Sequence, residues 1–171
     1  STGGMDFAEE ILKRDAQNIK GMNHDELTTY FKSRLSSATK EKAELLKGSK
    51  QEVQTKPIIN KVNQMIKDRG PKKGNVGQEE VVKALKKQLA DLKKNPENLT
   101  SEMADKIKSQ IQNLGRNAYD ANGKPTATSK AMAELGTFVK ELVEEGVDGI
   151  KEANRTIQLY QLASKSIERT G

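Results

Sequence analysis

Apolar residues recur three and four positions apart through most of the 171-residue chain. This spacing places them on one face of an α-helix. In the first third of the chain the pattern predicts a helix over residues 5–20 that stops at Gly21, and a longer helix over residues 24–47. Asn23 is expected to cap the longer helix with its side-chain oxygen. A third helix is predicted after Pro57, because proline is tolerated in a first helical turn.

The segment over residues 70–77 interrupts the helical pattern with three glycines and one proline. Such a density of glycine and proline does not continue a helix. We therefore predict a hinge or linker here, between an N-terminal helical region over residues 1–69 and a C-terminal four-helix bundle over residues 78–171. The fold class that follows is all-α, an antiparallel helical bundle of about six to seven helices.

Each of the four helices predicted beyond the linker carries its own apolar stripe, with a seam resembling that of a coiled coil. Thr100 or Ser101 is expected to cap the second of them, and Thr126 or Thr128 the third. In chain order the stripes are Val82, Leu85, Leu89 and Leu92; Met103, Ile107, Ile111, Leu114 and Ala118; Met132, Leu135, Val139 and Leu142; and Ile150, Ala153, Ile157, Tyr160, Ser164 and Ile167.

Side chains that perform difficult chemistry are scarce in this sequence, which has one histidine, no cysteine and no tryptophan. Disulfides, thiolate catalysis and zinc fingers are thereby excluded. The single histidine, His24, follows the expected N-cap, where a surface or capping role is ordinary. No pairing of a nucleophile with a base is visible. We predict that the chain is not an enzyme and that it has no catalytic residues, no cofactor and no metal site.

The net charge of +6 is distributed unevenly along the chain. Residues 72–94 contain seven lysines and three acidic residues, whereas residues 134–152 contain six acidic residues and two lysines. This segregation suits either a polyanion-binding surface or a subunit that stacks head to tail on copies of itself or on a larger assembly. The basic segment has no arginine or aromatic residue, which favours protein contacts over nucleic acid. The candidate polyanion-binding residues are Lys72, Lys73, Lys83, Lys86, Lys87 and Lys94.

No apolar run approaches the roughly 18 residues of a membrane-spanning helix. No basic stretch followed by an apolar core, as in a signal peptide, is visible at the start. We therefore expect a soluble protein without a membrane span, and its compartment stays unknown.

From residue 98 onward the order of features resembles a known class of helical segments. A helix ends in the run 114–119, Leu-Gly-Arg-Asn-Ala-Tyr; a loop follows over 120–125, Asp-Ala-Asn-Gly-Lys-Pro; and a later helix contains the run 150–155, Ile-Lys-Glu-Ala-Asn-Arg. Residues 98–170 are similar in this order to helical segments of large tailed-bacteriophage structural proteins, including tail and internal virion proteins. The resemblance implies a noncatalytic part of a larger particle, in the virion or the cytoplasm.

Three functions are consistent with these observations. The first is structural assembly through helix-mediated contacts with protein partners or with copies of the chain itself. The second is a basic helical module that binds nucleic acid through its lysines. The third is a secreted effector or adaptor that binds a host protein, which an exposed apolar patch would indicate.

Overall fold

The computed structural model describes residues 2–70 and 77–170, and the protein is 78% helical, which confirms the predicted all-α class. Seven helices and two three-residue strands occur among the described residues. They are α1 (Thr2–Ile19), α2 (His24–Gly48), β1 (Glu52–Gln54), α3 (Lys56–Asp68), α4 (Glu79–Lys93), β2 (Asn98–Thr100), α5 (Ser101–Asn117), α6 (Ala127–Gly146) and α7 (Ile150–Thr170). The helices pack in pairs, as expected of a helical bundle.

The predicted helix ends are confirmed at several positions. Gly21 adopts φ +81°, a left-handed conformation that ends α1 and that glycine adopts at low cost. Asn23 caps α2, because its Oδ1 accepts the backbone N–H of Glu26 at 2.9 Å. The caps of α5 and α6 are Thr100 and Thr126, whose hydroxyl oxygens each accept a backbone N–H three residues later.

The chain forms two compact units. Unit 1 consists of Ser1–Leu46 together with Gly149–Gly171 and contains α1, most of α2, and α7. Unit 2 consists of Lys47–Asp148 and contains α3 to α6 with both strands.

These units divide the chain differently from the boundary predicted at residues 70–77. Helices α3 and α4, which lie on either side of that segment, pack against each other within unit 2. Helix α7, assigned by the sequence to a bundle over residues 78–171, packs with α1 in unit 1 instead. Apolar burial explains the arrangement, since α3 and α4 each have an apolar stripe that must leave water. The predicted hinge itself falls almost entirely on residues 71–76, outside the described residues.

In unit 2, α5 and α6 pack closely through two glycines. A Cβ added at Gly136 of α6 would lie 3.0 Å from Cγ of Gln112, and one at Gly115 of α5 would lie 3.4 Å from Cβ of Met132. A Cβ at Gly136 would require the Gln112 side chain to shift, and larger side chains at either position would crowd the contact between the two helices. The predicted stripe of α6 is largely confirmed, with Met132, Leu135 and Val139 buried.

The predicted stripe of α5 is wrong by about one residue. The buried positions are Ser101, Ala104, Lys108, Ile111 and Gly115. The predicted stripe shares only Ile111 with them, and Leu114 is 43% exposed. The error arises because the buried side of α5 carries three small residues and one lysine, Ser101, Ala104, Gly115 and Lys108, which an apolar pattern does not include. Hydrophobicity alone selects the neighbouring, larger side chains.

The two strands form an antiparallel ribbon that the sequence pattern did not indicate. Val53 pairs with Leu99, and both side chains are buried. The segment joining β1 to α3 is tied to the start of β2, because the backbone N–H of Thr55 donates to Glu97 O at 2.9 Å and its hydroxyl donates to Pro96 O at 2.6 Å. Strands of three residues are too short to show the alternation of period two by which strands are recognised.

Unit 1 has a small core of its own. Its buried members are Phe31 and Ala38 of α2 and Tyr160 and Ala163 of α7. Partly buried apolar side chains of all three helices pack against this core: Ile11, Ile19, Leu27, Tyr30, Leu35, Ile157 and Ile167.

Among the helices of residues 2–70 and 77–170, none combines the length and the apolar character needed to cross a membrane.

Candidate binding surface

Helix α4 separates apolar and basic residues on opposite faces. Val81, Leu85 and Leu92 are buried on one side. At about 100° per residue, Leu85 and Leu92 point in nearly the opposite direction to Lys83, Lys87 and Lys94. The basic side therefore faces solvent. We call it the lysine face, and it consists of the exposed residues Lys83, Lys86, Lys87, Lys93 and Lys94.

The lysines of this face have few partners within the fold. Lys94 makes an ion pair of 3.8 Å with Asp91. Among the side chains that the structure describes, those of the other four make no ion pair or hydrogen bond. Four of the six lysines predicted from sequence, Lys83, Lys86, Lys87 and Lys94, are thus brought together on one helix face. The remaining two, Lys72 and Lys73, lie outside the described residues.

Acidic side chains border the lysine face. Glu79 and Glu80 are exposed in the first turn of α4, and Asp91 lies near its end. The first-turn carboxylates suit the positive end of the helix dipole. The surface is therefore basic along its middle and mixed in sign at its margins.

The acidic segment predicted over residues 134–152 is partly neutralised within unit 2. The carboxylate of Glu134 forms two ion pairs, one with Lys61 of α3 at 3.5 Å and one with Arg69, just after α3, at 3.3 Å. Two glutamates of α6 remain exposed near its C-terminal end, Glu141 and Glu145. We call these two residues the acidic end of α6. Unit 2 thus carries both an exposed basic face and an exposed acidic one.

A buried polar cluster in unit 1 was missed by sequence reasoning. Asp15 of α1 is 1% exposed and accepts hydrogen bonds from the hydroxyls of Tyr30 and of Tyr160, the latter at 2.9 Å. Arg34 donates to the Tyr160 hydroxyl at 3.2 Å and lies 3.8 Å from the Asp15 carboxylate. The sequence predicts only apolar packing for Tyr160, which lies on the stripe of the last helix. A signal was present, since Asp15 interrupts an apolar stripe at four-residue spacing between Ile11 and Ile19.

Burial and hydrogen bonding within this cluster raise the pKa values of Tyr30, Tyr160 and Arg34. Burial, followed by the hydrogen bond to Asp15, raises the pKa of Tyr30. Burial also raises the pKa of Tyr160, and the hydrogen bond from Arg34 partly opposes that shift. The hydrogen bond to Tyr160 raises the pKa of Arg34. The fold therefore favours neutral phenols beside a charged guanidinium.

His24 is placed by the structure at the start of α2. Its Nε2 lies 2.9 Å from the carbonyl oxygen of Ile167, and its Nδ1 lies 3.6 Å from the carboxylate of Asp25. The contact with Ile167 joins α2 to the end of α7. A surface histidine that contacts backbone fits the predicted role.

Among the side chains that the structure describes, no three or more histidine, cysteine or acidic residues form a group able to hold a metal ion. The carboxylate of Asp120, in the loop before α6, is occupied by the backbone N–H groups of Asn122 and Lys124, each at 2.9 Å. This loop is an Asx-type turn.

No protein-family model, curated protein or solved structure matches this chain.

Proposed function

We propose that this chain is a noncatalytic structural protein that assembles through its helix faces, with the lysine face of α4 docking on the acidic end of α6 of a second copy. One observation carries the proposal: all five lysines of the lysine face are exposed, and the side chains of four of them have no ion-pair or hydrogen-bond partner among the side chains that the structure describes. Like charges three and four residues apart destabilise a helix by about 0.2–0.5 kcal/mol per pair. Such a face is stabilised when an anionic surface lies against it.

The acidic end of α6 supplies such a surface. Glu141 and Glu145 are exposed and lie four residues apart on the helix, so they repel each other as the lysines of α4 do. Because the two faces differ, a single contact between copies is heterologous, and copies joined head to tail in this way form a closed ring or an open filament. The mixed charges at the margins of the lysine face also suit a protein surface, which presents both signs, better than a uniform polyanion.

The resemblance of residues 98–170 to helical segments of tailed-bacteriophage structural proteins supports the same proposal. In a tail or internal virion component that contains many copies of one subunit, the same heterologous contact is repeated many times. We propose this setting for the chain, with protein partners or further copies as its neighbours.

Nucleic-acid binding is the second candidate. The lysine face runs from Lys83 to Lys94, about 16 Å at 1.5 Å per residue, a length that reaches several phosphates of a duplex. Against this candidate stand Glu79, Glu80 and Asp91 at the margins of the face, together with the absence of arginine and aromatic side chains from α4.

Sedimentation velocity at low and high salt tests the leading proposal. The wild-type chain is expected to associate as concentration rises at low salt and to dissociate as salt screens the contact. Replacement of Lys83, Lys86, Lys87 and Lys94 by Gln is expected to abolish the association. The matched control replaces four exposed lysines of unit 1 by Gln, with the same change in net charge: Lys32, Lys40, Lys151 and Lys165. A wild-type chain that stays monomeric at low salt would contradict the proposal.

Fluorescence anisotropy with a nonspecific DNA duplex tests the second candidate with the same two variants. Tight binding at low salt that weakens steeply as salt is added, and that only the α4 variant loses, would place nucleic-acid binding first. Absence of binding at low salt would exclude it and leave protein assembly.

A further inference from the structure

Helix α1 is joined to α7 by charged and polar side chains along its length. The carboxylate of Glu10 binds Arg155. Arg14 donates to the Thr156 hydroxyl at 3.2 Å and lies 3.9 Å from Glu152. Contacts of this kind between partly exposed groups weaken as salt screens them.

The buried centre of this contact is Asp15. Its two carboxylate oxygens accept the hydroxyls of Tyr30 in α2 and Tyr160 in α7, and Arg34 of α2 supplies the positive charge at 3.8 Å. One carboxylate therefore connects α1 to both other helices of unit 1. Hydrogen bonds to a charged group are worth about twice those between neutral groups.

Helices α2 and α7 also contact each other without α1. The rings of Phe31 and Tyr160 have centroids 6.2 Å apart, and the guanidinium of Arg34 lies 5.3 Å from the centre of the Tyr160 ring. The ring of His24 contacts the carbonyl of Ile167 at the far end of α7. The pair therefore has an aromatic and a polar contact of its own that the departure of α1 leaves in place.

We propose that α1 is a releasable helix and that Asp15 is the latch that holds it on α2 and α7. Loss of the Asp15 contacts, or screening of the ion pairs beside them, frees α1 while α2 and α7 remain helical and paired. The short turn after α1, with Gly21 at φ +81°, is the pivot. Release uncovers the part of the core against which Ile11 and Ile19 of α1 pack, so the latch controls access to an apolar surface. This inference is independent of the lysine face.

Hydrogen exchange of backbone amides, read by mass spectrometry for each helix of the full chain, tests the latch. In Asp15→Ala, the amides of α1 are expected to exchange about tenfold faster or more, since a charge-assisted hydrogen bond is lost. The amides of α2 and α7 keep their protection. The control is Glu9→Ala, which removes one exposed carboxylate from the same helix and leaves exchange unchanged.

Two further measurements keep the test decisive if Asp15→Ala unfolds unit 1. Asp15→Asn keeps the shape and the acceptor oxygen but loses the charge, and is expected to accelerate α1 less than the Ala variant does. In the wild-type chain, a rise from about 0.05 M to about 0.5 M salt is expected to accelerate exchange in α1 alone. Equal acceleration of α1, α2 and α7 in these experiments would show one cooperative unit and overturn the proposal. So would α1 exchange that neither variant nor salt changes.

Discussion

The ammonium group of Lys108 lies 3.4 Å from the carboxylate of Asp105, one turn earlier on α5, and the Lys108 side chain is only 9% exposed. The pair belongs to the side of α5 that packs within unit 2. Removal of one member of a buried ion pair leaves the other charge in a poorly solvated site, whereas apolar replacement of both members is often neutral.

Asp105→Ala is therefore expected to lower the free energy of unfolding by about 3 kcal/mol. The double variant Asp105→Ala with Lys108→Met is expected to recover part of that loss, because neither charge of this pair is then left in the poorly solvated site. Urea unfolding followed by circular dichroism measures both. A double variant less stable than the single one would show that the charges themselves stabilise unit 2.

The α5–α6 contact predicts a steric effect at Gly136. Gly136→Val places a branched side chain where a single Cβ already lies 3.0 Å from Gln112, so the free energy of unfolding is expected to fall by about 1–3 kcal/mol. The matched control is Gly48→Val, at a helical glycine with nothing within 4 Å of an added Cβ. Thermal unfolding of the two variants measures the difference. Equal changes in the two variants would mean that the close packing at Gly136 is not responsible.

The cap of α6 predicts an effect at Thr126. Its hydroxyl oxygen accepts the N–H of Ser129 at 3.1 Å and its hydroxyl donates to the carbonyl of Ala118. Thr126→Ala removes both bonds and is expected to cost about 1–2 kcal/mol. Thr128→Ala, two residues later and not at the cap, is the control and is expected to cost less than about 0.5 kcal/mol. Denaturant unfolding compares the two variants: where the slope of the unfolding free energy against denaturant concentration is unchanged, the shift of the midpoint gives the loss of stability.

The tyrosines beside Asp15 predict an alkaline loss of stability in unit 1. The folded pKa values of Tyr30 and Tyr160 lie above the unfolded value, so the folded state binds the phenolic protons more tightly. Their contribution is complete below about pH 10 and is lost as pH rises through the folded pKa values. Unfolding free energy measured from neutral to alkaline pH is expected to fall in this range. Tyr30→Phe with Tyr160→Phe should make the fall shallower; an unchanged slope would assign it to other groups.

Helix positions and caps were largely predictable because they depend on residues close together in sequence. Apolar spacing, Asn23, Pro57 and the two threonine caps each report a local preference of the backbone. The division into units was not predictable in this way, because α7 packs with α1 through contacts more than 140 residues apart in sequence.

The chemistry of the candidate surface was partly predictable. The lysine face follows from spacing alone, since Lys83, Lys87 and Lys94 fall on one side of any helix that contains them.

Asp15 and Lys108 were missed for a common reason. Each is a charged residue buried by neighbours that the sequence does not identify, and hydrophobic patterning assigns such residues to solvent.

The most direct test of the proposed assembly is sedimentation velocity of two charge-reversed chains at low salt. One chain carries Lys83→Glu, Lys86→Glu, Lys87→Glu and Lys94→Glu, and the other carries Glu141→Lys with Glu145→Lys. Each chain alone presents like charges on the two faces proposed to meet, so each is expected to sediment as a monomer. Mixed in equal amounts they present opposite charges again, and a faster-sedimenting complex is expected. A mixture that sediments no faster than its components, or a single variant that associates as wild type does, would contradict it.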